Sequence, residues 1–458
     1  MSNNVLYIGL YGRIFMMILD KYAYLFTNRL HRILHGSMML FSISTQKEDM
    51  KMSKEKVVLA YSGGLDTTAI IPWLKENYDY EIICCCVNVG QDDATPDLEQ
   101  RALSTGASKV YILDVTDEFA DEYIAPCVMA HAIYENDYKL GTAMARPLIA
   151  KKMVEVAKKE GASAVCHGAT GKGNDQIRFE LGIKALAPEL KIIAPWRDEK
   201  WKMQSRKDEI EYCKQHGIDL PFPDESSYSR DANIWHVSHE GLELENPETG
   251  ANYDHLLLMS VRPEKAPDKS VSVTMTFEKG IPKTLNGKAM KFSDIIRELN
   301  KLGGENGIGI VDIVENRVVG MKSRGIYETP AGSIIYAAHQ QLEELILDHD
   351  TYTLKKDMGN KYADLLYEGK WFTPLREAVQ AFIESTQEYV TGECRFRLYK
   401  GNIIKDGTTS PYSLYSESLA SFTTGELYDH HDAQGFITLY GLSSKVRAMV
   451  QEGHYWKK

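Results

Sequence analysis

A glycine-rich turn separates the first predicted strand from the first predicted helix. The apolar run 57–61 predicts a buried strand, and residues 62–68, Ser-Gly-Gly-Leu-Asp-Thr-Thr, add two glycines, one carboxylate and three hydroxyls before the helix. Backbone N–H groups at such a turn and the positive end of the helix attract anions, and glycine lets a phosphate approach closely. No Gly-Lys-Ser/Thr follows at the spacing of a Walker A loop. The turn therefore predicts another type of phosphate site, with an ordinary serine-capped turn as the alternative.

A second polar stretch, residues 167–180, also follows a predicted strand and opens a predicted helix. Thr170, Asn174, Asp175 and Arg178 place a hydroxyl, an amide, a carboxylate and a guanidinium within nine residues. This combination suits a zwitterionic amino acid, because Arg pairs with a carboxylate and Asp pairs with an ammonium group. A glycine-rich turn followed by a helix cap is the alternative. A third polar stretch, residues 315–330, follows a predicted strand and is typical either of a site or of a solvated loop.

Together the three stretches resemble one known family. Ser-Gly-Gly-x-Asp-Thr at 62–67 is similar to the pyrophosphate loop of the N-type ATP pyrophosphatases, which cleave ATP to AMP and pyrophosphate while adenylating a substrate oxygen. With Gly-Ala-Thr-Gly-Lys-Gly-Asn-Asp at 168–175 and Val-Glu-Asn-Arg…Ser-Arg-Gly-Ile-Tyr-Glu-Thr-Pro-Ala-Gly at 314–332, the order resembles argininosuccinate synthetase from about Lys54 to the C-terminus. The resemblance implies ligation of citrulline and aspartate in arginine biosynthesis, with ATP as substrate, Mg²⁺ as cofactor, a cytoplasmic location and a homotetramer.

The same resemblance implies ligand contacts at particular positions. The ATP contacts would be Ala60, Tyr61, Ser62, Gly63, Gly64, Leu65, Asp66, Thr67, Thr68, Val87 and Gly168. The citrulline contacts would be Tyr138, Ala143, Asn174, Arg178, Ser229, Ser238, Glu315 and Tyr327. The aspartate contacts would be Thr170, Asn174 and Asp175. Relatives can carry Ser in place of Ala143, so only a backbone or packing role is expected there, and no residue is assigned as a general base or as a metal ligand.

Two other functions compete with this one. A tRNA-thiolating enzyme of the same ATP pyrophosphatase class would present a basic RNA-binding surface and often a catalytic cysteine near the loop. Here the net charge is −11, and Cys84, Cys85 and Cys86 lie inside a predicted strand. A non-catalytic nucleotide-binding protein would not need the polar stretch 315–330. Both alternatives are therefore less well supported than the ligase.

The elements that must position these stretches alternate strand and helix in the first half of the chain. Predicted strands cover residues 57–61, 82–89, 110–115, 163–167 and 192–194, with helices between them, which predicts an α/β doubly wound parallel sheet. The second half mixes helices at 292–302, 333–347 and 375–389 with strands at 270–277 and 311–314 and a hairpin at 395–404, which predicts an α+β domain. The predicted organisation is an atypical leader (1–51), an ATP-binding domain (52–217), a synthetase domain (218–409) and a C-terminal oligomerisation arm (410–458).

The composition is that of a globular protein. The chain has 458 residues, 43% of them hydrophobic, and its net charge of −11 argues against a nucleic-acid partner. The leader is different, with six Lys or Arg residues against three Asp or Glu. Charges interrupt its apolar run at 5–26, so no membrane span is expected. Met52 or Met50 is the expected start of the enzyme. The seven cysteines, an odd number without a Cys-x-x-Cys pair, are expected to be buried thiols.

Overall fold

The first half of the described chain folds around a five-stranded parallel sheet. The computed structural model describes residues 54–91, 97–218, 228–420 and 429–451, so the predicted leader and residues 219–227 of the predicted synthetase domain lie outside it. The strands are β1 (Lys56–Ala60), β2 (Glu81–Asn88), β3 (Lys109–Asp114), β4 (Ala164–Cys166) and β5 (Lys191–Ile193), in the order β3-β2-β1-β4-β5. The helices are α1 (Leu65–Tyr78), α2 (Asp97–Thr105), α3 (Thr116–Phe119), α4 (Ala125–Ala130), α5 (Gly141–Glu160), α6 (Asp175–Leu186) and α7 (Arg206–Gln215), with a π-helical turn at Ala120–Ile124 and a 3₁₀ turn at Pro195–Arg197. The predicted doubly wound sheet is confirmed.

Strand β1 shows why helices cover both faces of this sheet. Successive side chains of a strand point to opposite faces. Val58 belongs to a core that includes Leu148 of α5, whereas Val57 and Leu59 belong to a second core that includes Ile70 of α1. All three β1 side chains are fully buried, so the strand reads as an uninterrupted apolar run.

The second half contains two antiparallel sheets, which confirms the predicted α+β character. One sheet has four strands in the order β11-β12-β7-β6, and the other has five in the order β10-β9-β8-β13-β14. The strands are β6 (Ser229–Ala232), β7 (Val237–Glu240), β8 (Val271–Glu278), β9 (Ile281–Leu285), β10 (Lys288–Ala289), β11 (Ile310–Asn316), β12 (Lys322–Glu328), β13 (Gly392–Tyr399) and β14 (Asn402–Thr409). The helices are α8 (Tyr253–Leu256), α9 (Phe292–Glu305), α10 (Pro330–Ile346), α11 (His349–Tyr367), α12 (Pro374–Thr386), α13 (Glu417–Ala420), α14 (His430–Tyr440) and α15 (Leu442–Gln451), with 3₁₀ turns at Leu242–Glu245 and Pro263–Lys265.

Two helices differ from the sequence-based expectation. A helix was expected between the predicted strands 110–115 and 163–167, and α5 begins as early as Gly141, with its first turn buried and Pro147 inside the helix. Helix α11, with nineteen residues, was not predicted; its sequence is polar and only its C-terminal half packs continuously. Gly359 allows α11 to lie against the end of α4, because a Cβ there would be 2.2 Å from the carbonyl oxygen of Ala130.

The C-terminal segment differs from the rest of the described chain. No residue of helices α13, α14 and α15 is buried. Leu439 is 75% exposed and Tyr440 is 79% exposed, although both are apolar and large. Among the described residues, no helix is both long and apolar enough to cross a bilayer. The segment therefore presents apolar side chains to its surroundings.

The cysteines lie inside the fold, as expected. All seven are buried. Burial raises the pKa of the Cys85 thiol to about 12, with a further contribution from Cys86 beside it. A thiol with such a pKa is protonated at neutral pH and is a poor nucleophile.

Candidate active site

The topology of the parallel sheet creates a crevice where two polar stretches meet. The order of the strands reverses between β1 and β4, and ligands of doubly wound sheets bind beyond the carboxyl ends of the strands at such a point. Residues 61–64 follow β1 and residues 167–174 follow β4. Both stretches line a cavity of about 700 Å³, which also reaches Glu315 and Tyr327 of the β11–β12 hairpin. Three stretches far apart in the sequence therefore share one cavity.

The turn after β1 is held by its own hydroxyl groups. The carbonyl oxygen of Gly64 accepts hydrogen bonds from the Thr68 N–H (3.1 Å) and the Thr68 hydroxyl (2.7 Å), which begins α1. The Ser62 hydroxyl oxygen accepts the Gly64 N–H at 3.3 Å and lies 3.1 Å from the hydroxyl of Thr67. Because these bonds are internal, the turn keeps its shape without a ligand.

The two glycines of this turn are required for different reasons. Gly63 has φ +76°, and a Cβ there would lie 2.2 Å from Leu98 Cδ1. Its carbonyl oxygen accepts a hydrogen bond of 2.9 Å from Arg101 Nη1. Gly64 has φ −75°, an ordinary value, and it lines the cavity, where the nearest atom to an added Cβ is Ser62 Oγ at 3.3 Å. Gly63 is thus needed by the backbone, whereas Gly64 leaves room on the cavity side.

A carboxylate bound by two guanidiniums lies at the start of α6. Asp175 Oδ2 is 2.7 Å from both Nε and Nη2 of Arg146, and Asp175 Oδ1 accepts Arg178 Nη1 at 2.9 Å. Arg146 also contacts Asp231 Oδ1 at 2.9 Å. Burial opposes ionisation of Asp175, but the two guanidiniums outweigh it and hold the pKa of this carboxyl below its usual value. Asp175 is therefore an anion at neutral pH.

Asn174 occupies the N-cap position of α6, but its side chain makes no capping bond. Instead its Nδ2 donates to the hydroxyl of Tyr367 (2.9 Å), and its Oδ1 accepts the N–H of Val318 (2.9 Å). Tyr367, the last residue of α11, also accepts Arg178 Nε on its carbonyl oxygen at 3.1 Å, and its ring lies 4.9 Å from the Arg178 guanidinium carbon. A residue of the second half thus positions two side chains of the first half.

Glu315 forms the opposite wall of the cavity. Its side chain is only 4% exposed, and Oε2 accepts the hydroxyl of Tyr327 at 3.1 Å. Burial raises the pKa of Glu315 above its usual value, while hydrogen bonds from Tyr367 and Tyr327 oppose the shift. The ring of Tyr327 lies 4.4 Å from that of Tyr138, whose hydroxyl accepts the N–H of Thr142 at 3.2 Å. A buried carboxyl therefore stands beside an aromatic wall.

Strands β6 and β7 contribute two serines. Ser229 is exposed where it lines the cavity, whereas Ser238 is buried and its hydroxyl accepts the N–H of Asp231 at 3.1 Å. Nearby, Arg317 Nη2 contacts Glu240 Oε2 at 2.7 Å and Arg317 Nη1 donates to the carbonyl oxygen of Lys172. The hairpin turn is thereby tied to the loop after β4.

A second carboxyl pair lies beside the phosphate-type turn. Asp66, at the first turn of α1, lines the cavity and shares a hydrogen bond with Glu209 of α7. Glu209 is 1% exposed, and burial together with the hydrogen bond and negative charge of Asp66 raises its pKa to about 9. The Glu209 carboxyl is therefore protonated at neutral pH.

Most of the expected contact residues line this one cavity. They are Ala60, Tyr61, Ser62, Gly64, Leu65, Asp66, Thr67, Val87, Tyr138, Gly168, Thr170, Asn174, Asp175, Arg178, Ser229, Ser238, Glu315 and Tyr327. Three expected contacts, Gly63, Thr68 and Ala143, do not line the cavity. Gly63 and Thr68 belong to the turn but lie outside the cavity wall, and Ala143 is buried within α5. Other polar lining residues were not among the predicted contacts; they include Thr142, Arg146, Arg206, Asp231, Glu240 and Arg317, and Tyr367 lies behind them. A signal for Arg146 did exist, because it is a single charge within the apolar run 143–150.

Comparison with known proteins agrees with this geometry. Residues 56–219 match the family model described as "Arginosuccinate synthase N-terminal HUP domain", and residues 228–447 match "Arginosuccinate synthase C-terminal domain". The argininosuccinate synthase of Lachnospira eligens is 73% identical over 396 residues, which cover 86% of this chain and 97% of that protein. The argininosuccinate synthase of Brachyspira hyodysenteriae is 59% identical over 399 residues, which cover 87% of this chain and 98% of that protein. The chain belongs to the argininosuccinate synthase family.

Members of the argininosuccinate synthase family are ligases that join citrulline and aspartate in arginine biosynthesis, and this chain is an enzyme of that kind. Membership in this family explains why the cavity has two chemically different ends. One end has the phosphate-type turn, and the other has the charged side chains of Asp175 and Arg178. It also disfavours the two alternatives. The cysteine nearest the turn, Cys85, has a raised pKa, and the residues of the third stretch are built into the cavity.

Proposed function

We propose that this cavity carries out the ligation through citrullyl-AMP. The ureido oxygen of citrulline attacks the α-phosphorus of ATP, forming a P–O bond while the bond to pyrophosphate breaks. The amine of aspartate then attacks the former ureido carbon, and AMP leaves with the ureido oxygen and the bonding electron pair. The observation that carries the proposal is the meeting of the turn at 61–68 and the Asp175–Arg178 pair in one cavity. Such in-line chemistry depends on positioning and charge neutralisation more than on covalent help from the protein.

At the nucleotide end, we assign the residues of the turn, together with Val87 and Gly168, to ATP. Gly168 supports this assignment because it lets the loop after β4 approach α1: a Cβ there would lie 3.3 Å from the Thr67 methyl carbon and 3.2 Å from Ile70 Cδ1. Mg²⁺ fits here, since it prefers one or two carboxylate oxygens together with substrate phosphates, and Asp66 offers its carboxylate on the cavity wall. Mg²⁺ would neutralise charge on the phosphates during transfer.

At the amino-acid end, Thr170, Asn174 and Asp175 are assigned to aspartate, and Asp175 takes the role of anion for its ammonium group. Citrulline is assigned to Tyr138, Asn174, Arg178, Ser229, Ser238, Glu315 and Tyr327, all of which line the cavity. Arg178 is suited to the citrulline carboxylate because a guanidinium can form two parallel hydrogen bonds with it. Ala143 supports this end only through packing, since it is buried within α5. Asp175 is assigned to hold a charge and not to move a proton, and no protein residue is assigned as the base, a role that substrate phosphate can fill.

The C-terminal segment from residue 410 is proposed to join subunits into a cytoplasmic homotetramer. Its apolar side chains, including Leu414 (63% exposed) and Val450 (73% exposed), need a surface to cover them. The proposed organisation is a leader at 1–51 that the enzyme does not require, an ATP-binding domain at 52–217, a synthetase domain at 218–409 and the arm at 410–458.

The test is an omission assay with labelled citrulline. Pyrophosphate release is measured with ATP, citrulline and aspartate, and then with each omitted in turn. Release without aspartate, limited to about one equivalent per site, is expected because adenylation comes first. With ¹⁸O in the ureido group, the label should appear in AMP. Label retained in argininosuccinate or released in water would contradict the citrullyl-AMP route, and release that ignores citrulline would contradict the function itself.

A further inference from the structure

Arg206 is a cationic residue of the cavity whose charge acts on Glu209, one turn further along α7, without forming an ion pair with it. Five guanidiniums line the cavity, and those of Arg146, Arg178 and Arg317 are each paired with a carboxylate at 2.7–2.9 Å. Arg230 donates its Nε to His239 Nδ1 at 3.1 Å. Arg206 makes no hydrogen bond and no ion pair within 4 Å to any residue that the structure describes, and its Nε is buried. A buried donor without a protein acceptor is normally satisfied by a water or by a ligand, and the cavity gives either of them access to Arg206.

The place of Arg206 in the fold puts it at the nucleotide end of the cavity. Arg206 is the first residue of α7, which is anchored by a capping box between Ser205 and Asp208. One turn further, Glu209 hydrogen-bonds Asp66 of the turn that follows β1. Cys213 of the same helix lies in the hydrophobic core that contains α1. The start of α7 is therefore fixed beside the first turn of α1, where the phosphate-type turn ends.

The turn itself lacks a cation. Residues 60–68 contain no lysine or arginine, and no lysine of the part of the chain that the structure describes lines the cavity. ATP carries about four negative charges. When the bond to the α-phosphorus breaks, the leaving pyrophosphate gains negative charge on the phosphate that was bonded there. A guanidinium presents several N–H groups in one plane, which matches the oxygens of neighbouring phosphates. Among the described residues, Arg206 is thus a cavity guanidinium with no hydrogen-bonded protein partner, and it lies where a polyphosphate needs a cation.

We propose that Arg206 binds the β- and γ-phosphates of ATP and holds the pyrophosphate leaving group during adenylation. This inference rests on the proposed placement of ATP at residues 61–68. Arg206 contacts only the part of the nucleotide that AMP lacks. Its contribution should therefore differ between ATP and AMP, which a purely structural role at the start of α7 would not produce.

The test measures binding of ATP, inorganic pyrophosphate and AMP by titration calorimetry to the full chain and three variants. R206Q should weaken ATP and pyrophosphate binding by roughly 10- to 100-fold, the range of one or two charge-assisted hydrogen bonds, with AMP binding changed less than about twofold. R206K, which keeps the charge but not the planar fork, should give an intermediate loss. K207Q is the matched control, because it removes the same charge from the next, exposed position of the same helix and should bind like the unchanged protein.

The outcomes are separable. Equal losses for ATP and AMP in R206Q and R206K, or unchanged ATP binding in both, would overturn the role of Arg206. A loss in K207Q as large as in R206Q would reduce the effect to net charge and would also overturn it. If R206Q does not fold, as judged by its circular dichroism, the R206K variant decides by the same ATP-to-AMP difference. Failure of the unchanged protein to bind ATP would instead refute the proposed function.

Discussion

Replacing Asp175 with Asn removes the charge that the guanidiniums of Arg146 and Arg178 share, and the cost in folding free energy can be estimated from the contacts. Asp175 accepts Arg146 at 2.7 Å and Arg178 at 2.9 Å, and each charge-assisted bond contributes about 1.5–3 kcal/mol. The Asn amide oxygen still accepts one bond, and Arg146 keeps Asp231 at 2.9 Å. Arg178, only 5% exposed, loses its carboxylate partner. Removing one partner of a buried pair costs roughly 3–5 kcal/mol, and the remaining contacts place this variant near 3 kcal/mol.

The assay is urea denaturation of the unchanged protein, Asp175→Asn and the matched control Asp231→Asn. We expect the midpoint to fall without a change in slope, and to fall less for Asp231→Asn, because that change leaves the Asp175–Arg178 pair intact. The pKa of Asp175 is lower in the folded protein than in the unfolded chain. Its contribution to stability is therefore complete above the unfolded pKa, about 3.9, and is lost as the pH falls below that value. The difference between the two proteins should shrink in acid accordingly.

Activity should change unevenly in Asp175→Asn. Loss of the anion for the aspartate ammonium should raise the KM for aspartate by about 10- to 100-fold. Citrulline adenylation, measured as pyrophosphate exchange into ATP, should fall less, because Arg178 keeps its bond to the Tyr367 carbonyl oxygen. Equal losses in both half-reactions, or a denaturation midpoint that does not move, would refute the reasoning.

Four further predictions concern the turn after β1, Tyr367, the leader and the C-terminal arm. Gly64→Val should abolish ATP binding while the denaturation midpoint changes little. Gly63→Ala should lower the midpoint, because Gly63 has φ +76° and an added Cβ would meet Leu98. Ordinary ATP affinity in Gly64→Val would contradict the assignment of this turn to phosphate. Tyr367→Phe should destabilise the protein by about 2–4 kcal/mol in denaturation experiments, since the Tyr367 hydroxyl hydrogen-bonds Asn174 and Glu315. The same variant should raise the KM for citrulline more than the KM for ATP. A change in the KM for ATP alone would contradict the position of Tyr367 at the amino-acid end. A chain beginning at Met52 should match the full chain in specific activity, and loss of activity would show that the leader belongs to the enzyme. Deletion of residues 410–458 should lower the molar mass measured by light scattering, and a truncated protein that is still tetrameric would contradict the arm.

Much of the first half could be predicted from the sequence because its strands are buried on both faces. Apolar runs such as 57–61 and 82–89 have no polar alternation, which is typical of parallel strands, and glycine-rich turns mark their ends. The strand order was not predicted, since it depends on contacts between distant segments. It is this order that brings the turn after β1 beside the loop after β4.

The residues that the sequence analysis missed act across long separations. Tyr367 ends a helix whose sequence is polar, and its contact with Asn174 spans 193 positions. Arg146 was visible only as a charge in an apolar run, and its partners Asp175 and Asp231 come from two other elements. The alternative of a helix cap does not describe Asn174, because its side chain makes no capping bond and instead bonds Tyr367 and Val318. Local patterns favour caps and turns, whereas these roles are set by tertiary contacts.

The pairing of Asp175 with Arg178 has a thermodynamic consequence for the two amino-acid substrates. Each group is the other's partner at 2.9 Å when no ligand is bound, while they are assigned to different substrates. A carboxylate that binds Arg178 releases part of the attraction that holds Asp175, and an ammonium that binds Asp175 does the same for Arg178. The substrate that binds first thus contributes the free energy needed to loosen the Asp175–Arg178 pair. The second substrate then binds more tightly, so citrulline and aspartate should promote each other's binding. By linkage the factor is the same in both directions, typically about 5- to 150-fold for such couplings.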